Sequence, residues 1–487
     1  MAPVRERHTI QGYRSHALPT TLFFLAGEAS GDLHGAKLVA ALRERDPALR
    51  CIGMGGPRMA EAGMEIAKDL EGMQVMGFWE VARQYGFFKK VFYALLDRVK
   101  QERPAALICI DYPGFNLRFA SEVRKLGIPC LYYIVPQVWA WKPKRAAKMA
   151  EFIDRAYCVF EFEPPFFEKF RSRQRKMKTV FVGHPLLDGG WRIGDGGWGL
   201  PPGPKTVGLL TGSREDEFRH LALPLAQGFA LANRERGPLR GLMSVPAGNA
   251  DAHRRVVKAC LEQGPGSDGS SSVDGVRRAL AGEPAEKALS SVRERTDVSG
   301  ADDSRGGQGE AGGKCGRPPR EDPERPPSFD LADRGIWVGP KEAREGLGSL
   351  CERLRDPGLS HAACLPRLCD FSVVKSGTST LEAGLQGKPM CVVYRGSWAS
   401  YALARLMVDI PVFSLVNIVL GRYAVPELLQ GEVTAARIAR EIWRGLEDTG
   451  YIDAQKAALA ELPGKLGGPG ASGRAARGIL DFLAGRE

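Results

Sequence analysis

A carboxylate at the end of a buried strand can take a proton away from bulk water, and Asp111 has that setting. It follows the apolar run 107–110 and precedes Tyr112, Pro113 and Gly114, which must end the strand. Ligands in open α/β sheets bind outside the carboxyl ends of strands, so Asp111 stands where such enzymes keep their chemistry. A plain cap on the turn or on the following helix would use the same carboxylate.

Three glycine turns suggest a second chemistry, anion binding. Gly27, Glu28, Ala29, Ser30, Gly31 and Asp32 follow an apolar run, and the two glycines would let backbone amides approach a phosphate at a helix start. Asp32 could equally be the cap of that helix. Gly212, Ser213 and Arg214 follow the run 206–210 and would bring a guanidinium and helix amides to a phosphate, unless Arg214 pairs with Glu217 one turn on. Ser376, Gly377, Thr378, Ser379 and Thr380 offer hydroxyl and amide donors for a diphosphate. Glu382, one turn in, could accept from a ribose hydroxyl; an N-capping box without ligand is the alternative.

The elements that must position these groups alternate. Strands are expected at 21–26, 51–54, 105–111, 130–135, 156–160 and 179–182, with helices between them, as a doubly wound sheet requires. A stretch rich in Gly, Pro and Trp at 189–204 breaks the pattern, and a second sheet starts at 206–210, continuing at 335–339, 371–374 and 390–394. The fold class is therefore α/β. The expected parts are a tail at 1–19, Rossmann-like domains at 20–190 and 200–410, and a helical segment at 411–487. Gly, Ser, Pro and mixed charge fill 264–330, with 13 acidic and 10 basic residues and few large apolar ones, so a disordered insertion is expected there.

Composition narrows the class. The chain has 487 residues, enough for two or three domains, and a hydrophobic share of 44% supports packed cores. Its apolar runs fall far short of the ~20 residues that a membrane-spanning helix needs. The N-terminal tail has arginines but no apolar core, which argues against secretion and leaves an organellar transit peptide open. Ten cysteines without CxxC or zinc spacing read as reduced, buried hydrophobes. The loop at 27–32 lacks GxGxxG, which disfavours a nicotinamide cofactor. A net charge of +11 favours an anionic partner, yet no nucleic-acid module is present.

The segment 77–100 interleaves aromatic and basic residues. Phe78, Phe88 and Phe92 recur at helical spacing with Leu95 and Val99, while Trp79, Phe87 and Tyr93 lie off that face. Phe78, Trp79, Phe87, Phe88 and Phe92 with Arg83, Lys89 and Lys90 suggest docking on a membrane surface; a core helix with a wide apolar stripe is the alternative. Trp139 and Trp141 precede Lys142, Lys144, Arg145 and Lys148, cations that could hold a phosphate or lie on a solvated helix face.

Nine motifs in order resemble the lipid-A-disaccharide synthase family. They are AGEASGD (26–32), GGPRM (55–59), VMGFWEV (75–81), IDYPGFN (110–116), PQVWAWKPKR (136–145), GHPLLD (183–188), GSR (212–214), SGTSTLE (376–382) and LGRYAVPELLQ (420–430). The resemblance spans 21–260 and 336–440. It implies the glycosyltransferase-B fold, two Rossmann-like domains facing a cleft, in a peripheral enzyme on the cytoplasmic face of the inner membrane. It also implies an inverting transfer from UDP-2,3-diacylglucosamine to 2,3-diacylglucosamine 1-phosphate, giving a β-1,6 disaccharide and UDP. Asp111 matches the family's candidate base, and Arg214 and Asn417 match residues linked to the UDP-sugar. No metal or cofactor is expected, and a homodimer is left open. Gly114 stands where many members have a second Asp, Thr211 where they have Pro, and Val416 where they have Pro before Asn417. A UDP-N-acetylglucosamine 2-epimerase of the same architecture and a basic nucleic-acid-binding protein are the rival readings.

Overall fold

The computed structural model describes residues 20–73, 85–141, 144–170, 177–189, 203–212, 214–244, 257, 330–332, 336–338, 361–396 and 412–485. The chain forms two units, Met1–Gly189 with Gly467–Glu487, and Gly190–Leu466. In the first unit β1 (Thr21–Ala26), β2 (Arg50–Met54), β3 (Glu65–Lys68), β4 (Ala106–Ile110), β5 (Cys130–Tyr133), β6 (Arg155–Cys158) and β7 (Lys178–Phe181) form one sheet. Its order is β3-β2-β1-β4-β5-β6-β7, and every pairing is parallel. The unbroken apolar runs of β1 and β4 follow from this, because central parallel strands are covered on both faces. Residues 22–26 and 106–110 are fully buried. Helices Tyr85–Glu102 and Pro113–Lys125 cover one face through Val91, Leu95, Phe119 and Val123. Helix Ala29–Arg45 covers the other through Leu38, Val39 and Leu42.

The last helix, Ala471–Leu483, also belongs to this unit and packs Ala475, Ala476 and Ile479 on that second face. The Asp188 carboxylate of the GHPLLD motif anchors its start, accepting from the amides of Gly470 (2.7 Å), Ala471 (2.9 Å) and Ser472 (2.7 Å). The helical segment expected over 411–487 is thus shared between the units.

In the second unit β8 (Lys205–Leu210), β9 (Leu239–Ser244), β10 (Asp330–Ala332), β11 (Ile336–Val338), β12 (Phe371–Lys375), β13 (Met390–Tyr394) and β14 (Glu427–Leu429) form a sheet of order β10-β11-β9-β8-β12-β13-β14. β9, β8, β12, β13 and β14 are parallel neighbours, and β10 and β11 are antiparallel. Edge strand β14 falls in a stretch whose sequence points to helix; three residues are too few to show a period of two. Helices Glu215–Arg236 and Ala435–Glu447 bury Phe218, Leu221, Ile438 and Ile442 in one cluster against this sheet. Of the insertion expected at 264–330, only Asp330 lies within the described residues. Among the parallel strands of each sheet the order reverses between β1 and β4 and between β8 and β12. These are the places where open α/β sheets bind ligands.

Candidate active site

Ala26 and Ile110 are register partners, so β1 and β4 end flush and Gly27 and Asp111 leave adjoining strand ends. Asp111 and Tyr112 have φ of +44° and +49°. For residues with a side chain this backbone costs about 1–3 kcal/mol each and persists only where neighbours enforce it. Here the enforcement is visible. The Asp111 carbonyl accepts from Asn116 Nδ2 (2.7 Å) and Tyr132 Oη (2.6 Å), and Asn116 Nδ2 also reaches the carbonyls of Leu25 and Ile110 at 3.2 Å. Sequence reasoning missed both positioning residues. The available signal for Asn116 is an amide on the face of a helix that otherwise presents Phe115, Phe119, Ala120 and Val123 to the core.

Gly27 has a different duty from the one expected. A Cβ there would lie 2.2 Å from the Tyr112 ring, so the glycine makes room for the residue that follows Asp111. Tyr112 Oη donates to the Met73 carbonyl (2.9 Å), and burial, with Glu28 nearby, pushes its phenol up to about 12.

The loop expected at 27–32 is shorter than its sequence suggests, because the helix begins at Ala29. Ser30 is exposed in the first turn, Gly31 is buried, and Glu28 holds the N-cap position in extended backbone. Asp32 was expected on an anion site or as the cap of its own helix. It is instead buried and accepts from the amides of Gly56 (2.8 Å), Arg58 (3.2 Å) and Met59 (3.0 Å), tying down the start of helix Pro57–Glu61. An anion could not approach a carboxylate placed there.

At the second switch point Leu210 and Val374 are register partners, and the polar groups that follow them meet. Arg214 Nη1 donates to Glu217 Oε1 (3.3 Å), and Lys375 Nζ contacts the same oxygen at 2.5 Å. Burial pushes the Lys375 ammonium below its ordinary value; Glu217 opposes that shift and Arg214 adds to it. Two cations on one carboxylate leave this trio with net positive charge. Gly212, with φ of +102°, lets Glu217 fold back, since a Cβ there would lie 2.1 Å from Glu217 Oε2. Glu215, Asp216 and Glu217 crowd the first turn of helix Glu215–Arg236 and neutralise the positive end of its dipole, so the amides expected to draw a phosphate are already faced by acids. Lys375 adds a second cation at this strand end. Its signal in the sequence is a lysine ending an apolar strand just before a glycine turn.

Thr211, where the resemblance implies a proline, is buried, with its amide donating to Ser244 Oγ (3.1 Å) and its hydroxyl to the Ser244 carbonyl (2.8 Å). Hydrogen bonds to β9 supply the stiffness that a ring would have given. Ser376 is buried with its amide donating to the Val393 carbonyl (2.9 Å), Gly377 has φ of +151°, and Thr378 is exposed. Glu382 is buried on the helix that follows.

Asn417 departs from expectation. It is fully buried, its Nδ2 donates to the Val425 carbonyl (2.9 Å) and Glu427 Oε1 (2.8 Å), and its Oδ1 accepts from the amides of Ala424 (2.9 Å) and Val425 (3.0 Å). An amide group so saturated fixes the loop before β14. Glu427 completes the knot by accepting from the Phe413 amide (2.8 Å) and from the Ser414 amide (2.8 Å) and hydroxyl (2.7 Å).

The membrane-docking set divides in the structure. Phe88 and Phe92 pack on the core, Phe92 with ring centroids 5.6 Å from Phe115 and 5.2 Å from Phe119. They continue the stripe of Leu95 and Val99, so those two residues are core rather than docking residues. Phe87 and Tyr93 remain 37% and 53% exposed, with Lys89 and Lys90 exposed between them. Phe78 and Trp79 lie outside the described residues. In the tryptophan motif, Trp139 Nε1 donates to Glu163 Oε1 (3.2 Å). Burial pushes Glu163 up to about 8, against three N–H donors that favour its charged form. His184 and His34 are both buried, their rings edge to face at 6.1 Å, and burial lowers both. Among the described residues no cluster of His, Cys, Asp or Glu could hold a metal ion, and no helix is long and apolar enough to cross a membrane.

Two parallel α/β units, one carrying a carboxylate and the other a cationic cluster at its switch point, are the glycosyltransferase-B plan of a nucleotide-sugar enzyme. Two solved structures share this fold at 11% identity and a TM-score of 0.52: a putative UDP-N-acetylglucosamine 2-epimerase from Listeria monocytogenes, over 97% of this chain and 98% of that one, and the S. aureus MnaA-UDP co-structure, over 96% and 97%. The family described as lipid-A-disaccharide synthetase matches residues 22–258 and 360–462. Lipid-A-disaccharide synthases from Anaeromyxobacter dehalogenans (strain 2CP-1) and Geobacter sulfurreducens are 34% and 32% identical, over 96% and 95% of this chain and 99% and 97% of theirs. The chain belongs to the lipid-A-disaccharide synthase family and is a glycosyltransferase of lipid A biosynthesis that uses a UDP-sugar.

Proposed function

We propose that the enzyme transfers 2,3-diacylglucosamine from UDP to 2,3-diacylglucosamine 1-phosphate with inversion, giving the β-1,6 disaccharide 1-phosphate and UDP. The observation that carries this reading is Asp111, held on enforced backbone at the first switch point. Asp111 takes the proton of the acceptor's 6-hydroxyl as that oxygen bonds to the anomeric carbon and the bond to the UDP oxygen breaks. A placed base of this kind contributes about 10² to 10⁴-fold. Arg214 and Lys375 hold the departing diphosphate, and stabilising charge in this way often accelerates a reaction more than the base does. Ser376, Gly377 and Thr378 add donors, Glu382 takes a ribose hydroxyl, and Asn417 serves by positioning its loop. Glu28 and Ser30 flank the acceptor.

Incubating the enzyme with both acylated sugars and resolving the lipid products tests this. A new disaccharide phosphate formed in step with UDP release is expected. Conversion of the UDP-sugar into its 2-epimer, with no disaccharide, would sink the reading.

The lipid substrates also call for a membrane surface, and we place docking on Phe87 and Tyr93 with Lys89 and Lys90, at the cytoplasmic face of the inner membrane. Exposed aromatics beside cations suit an anionic interface. Co-sedimentation with anionic vesicles should weaken severalfold when Phe87 and Tyr93 become Ser. Equal pelleting of variant and wild type would remove this face from docking.

A further inference from the structure

Gln430 combines two costs in one residue. Its φ is +50°, and among the described residues of the second unit no other non-glycine residue has a positive φ. It is 4% exposed, and although Oε1 accepts from the Gly396 amide (3.3 Å), its Nε2 is buried without a hydrogen-bond partner. Glycine would carry that backbone without strain. Methionine would fill nearly the same space with no donor to leave unpaired. A buried orphan donor calls for an explanation, and strain at the same residue points to function.

The place supplies the explanation. Gln430 directly follows β14, at the carboxyl end of the sheet whose β8 and β12 ends carry Arg214 and Lys375. The Asn417–Glu427 knot holds the other end of β14, so the residue cannot drift to find a partner within the chain. Its Gly396 bond fixes the amide's orientation. That bond uses the acceptor and leaves the donor for something the chain does not provide.

We propose that Gln430 Nε2 donates a hydrogen bond to an uncharged oxygen, a hydroxyl or carbonyl, of the bound UDP-sugar. The partner is the neutral part because Gln430 is uncharged and follows a strand two places from the one that ends in Lys375 and three from the one that leads to Arg214. This rests on the donor-site reading above.

Equilibrium binding of UDP and of UDP-2,3-diacylglucosamine in detergent, with thermal melting, tests it on wild type, Gln430→Met and Gln430→Gly. Both variants should bind the UDP-sugar about tenfold more weakly, the worth of one hydrogen bond. Their melting temperature should stay near the wild-type value, since removal of the strain or of the orphan donor offsets the lost Gly396 bond. An equal loss for UDP places the oxygen on uridine, and a loss confined to UDP-2,3-diacylglucosamine places it on the sugar or its acyl groups. Unchanged affinity in whichever variant folds overturns the proposal, as does a lower melting temperature with affinity intact. Should wild type bind neither compound, the donor-site reading falls and this proposal with it.

Discussion

Replacing Asp111 by asparagine is expected to cut turnover at least about a hundredfold while UDP affinity stays at the wild-type value. Asparagine keeps the size of the side chain and removes its negative charge and its ability to take a proton. The backbone that aims it is held through the Asp111 carbonyl, by Asn116 and Tyr132, and those bonds survive the change. A fall in kcat without a fall in stability is therefore the signature. Steady-state kinetics beside a urea melt would check it, and turnover near wild type would take Asp111 out of the mechanism. Gly114 gives this prediction its edge. It is exposed, and a Cβ there would meet nothing within 4 Å, so packing would admit an aspartate at this position. With glycine at 114, the proposed base has no second carboxylate at that position.

Replacing Asn417 by alanine is expected to lower the unfolding free energy by about 3 kcal/mol or more. The change leaves the Ala424 and Val425 amides and the Val425 carbonyl unpaired in a fully buried site, and strips Glu427 of one donor. Weaker UDP-sugar binding should follow as the loop before β14 loosens. Urea denaturation separates this from direct contact. If the midpoint stays put while UDP-sugar binding disappears, Asn417 touches the ligand and its positioning role is wrong.

Much of the active-site region was legible because strand ends announce themselves. An apolar run stopped by Pro or Gly marks a carboxyl end, and Asp111, Arg214 and Ser376 each follow one. Where sequence reasoning failed, the cause was a partner distant along the chain. Asp32 looked like the start of its own helix, yet the amides it satisfies belong to residues 56–59. Phe92 looked fit for a lipid surface until Phe115 and Phe119 packed against it. Asn417 looked like a ligand contact until Glu427 and the 424–425 amides used up its side chain.

By itself the sequence determined two alternating α/β regions, the family they belong to, and Asp111 at the end of a buried strand. These are local properties, carried by hydrophobic runs and by the residues that interrupt them. Only the tertiary structure decided which polar groups are spent on the chain and which remain for chemistry. Parallel strands bring β1 beside β4 and β8 beside β12 across long separations, and a hydrogen-bonding group is committed only when its partner arrives. Lys375 on Glu217, Asn116 on the Asp111 carbonyl and the unpaired Nε2 of Gln430 are facts of that assembly.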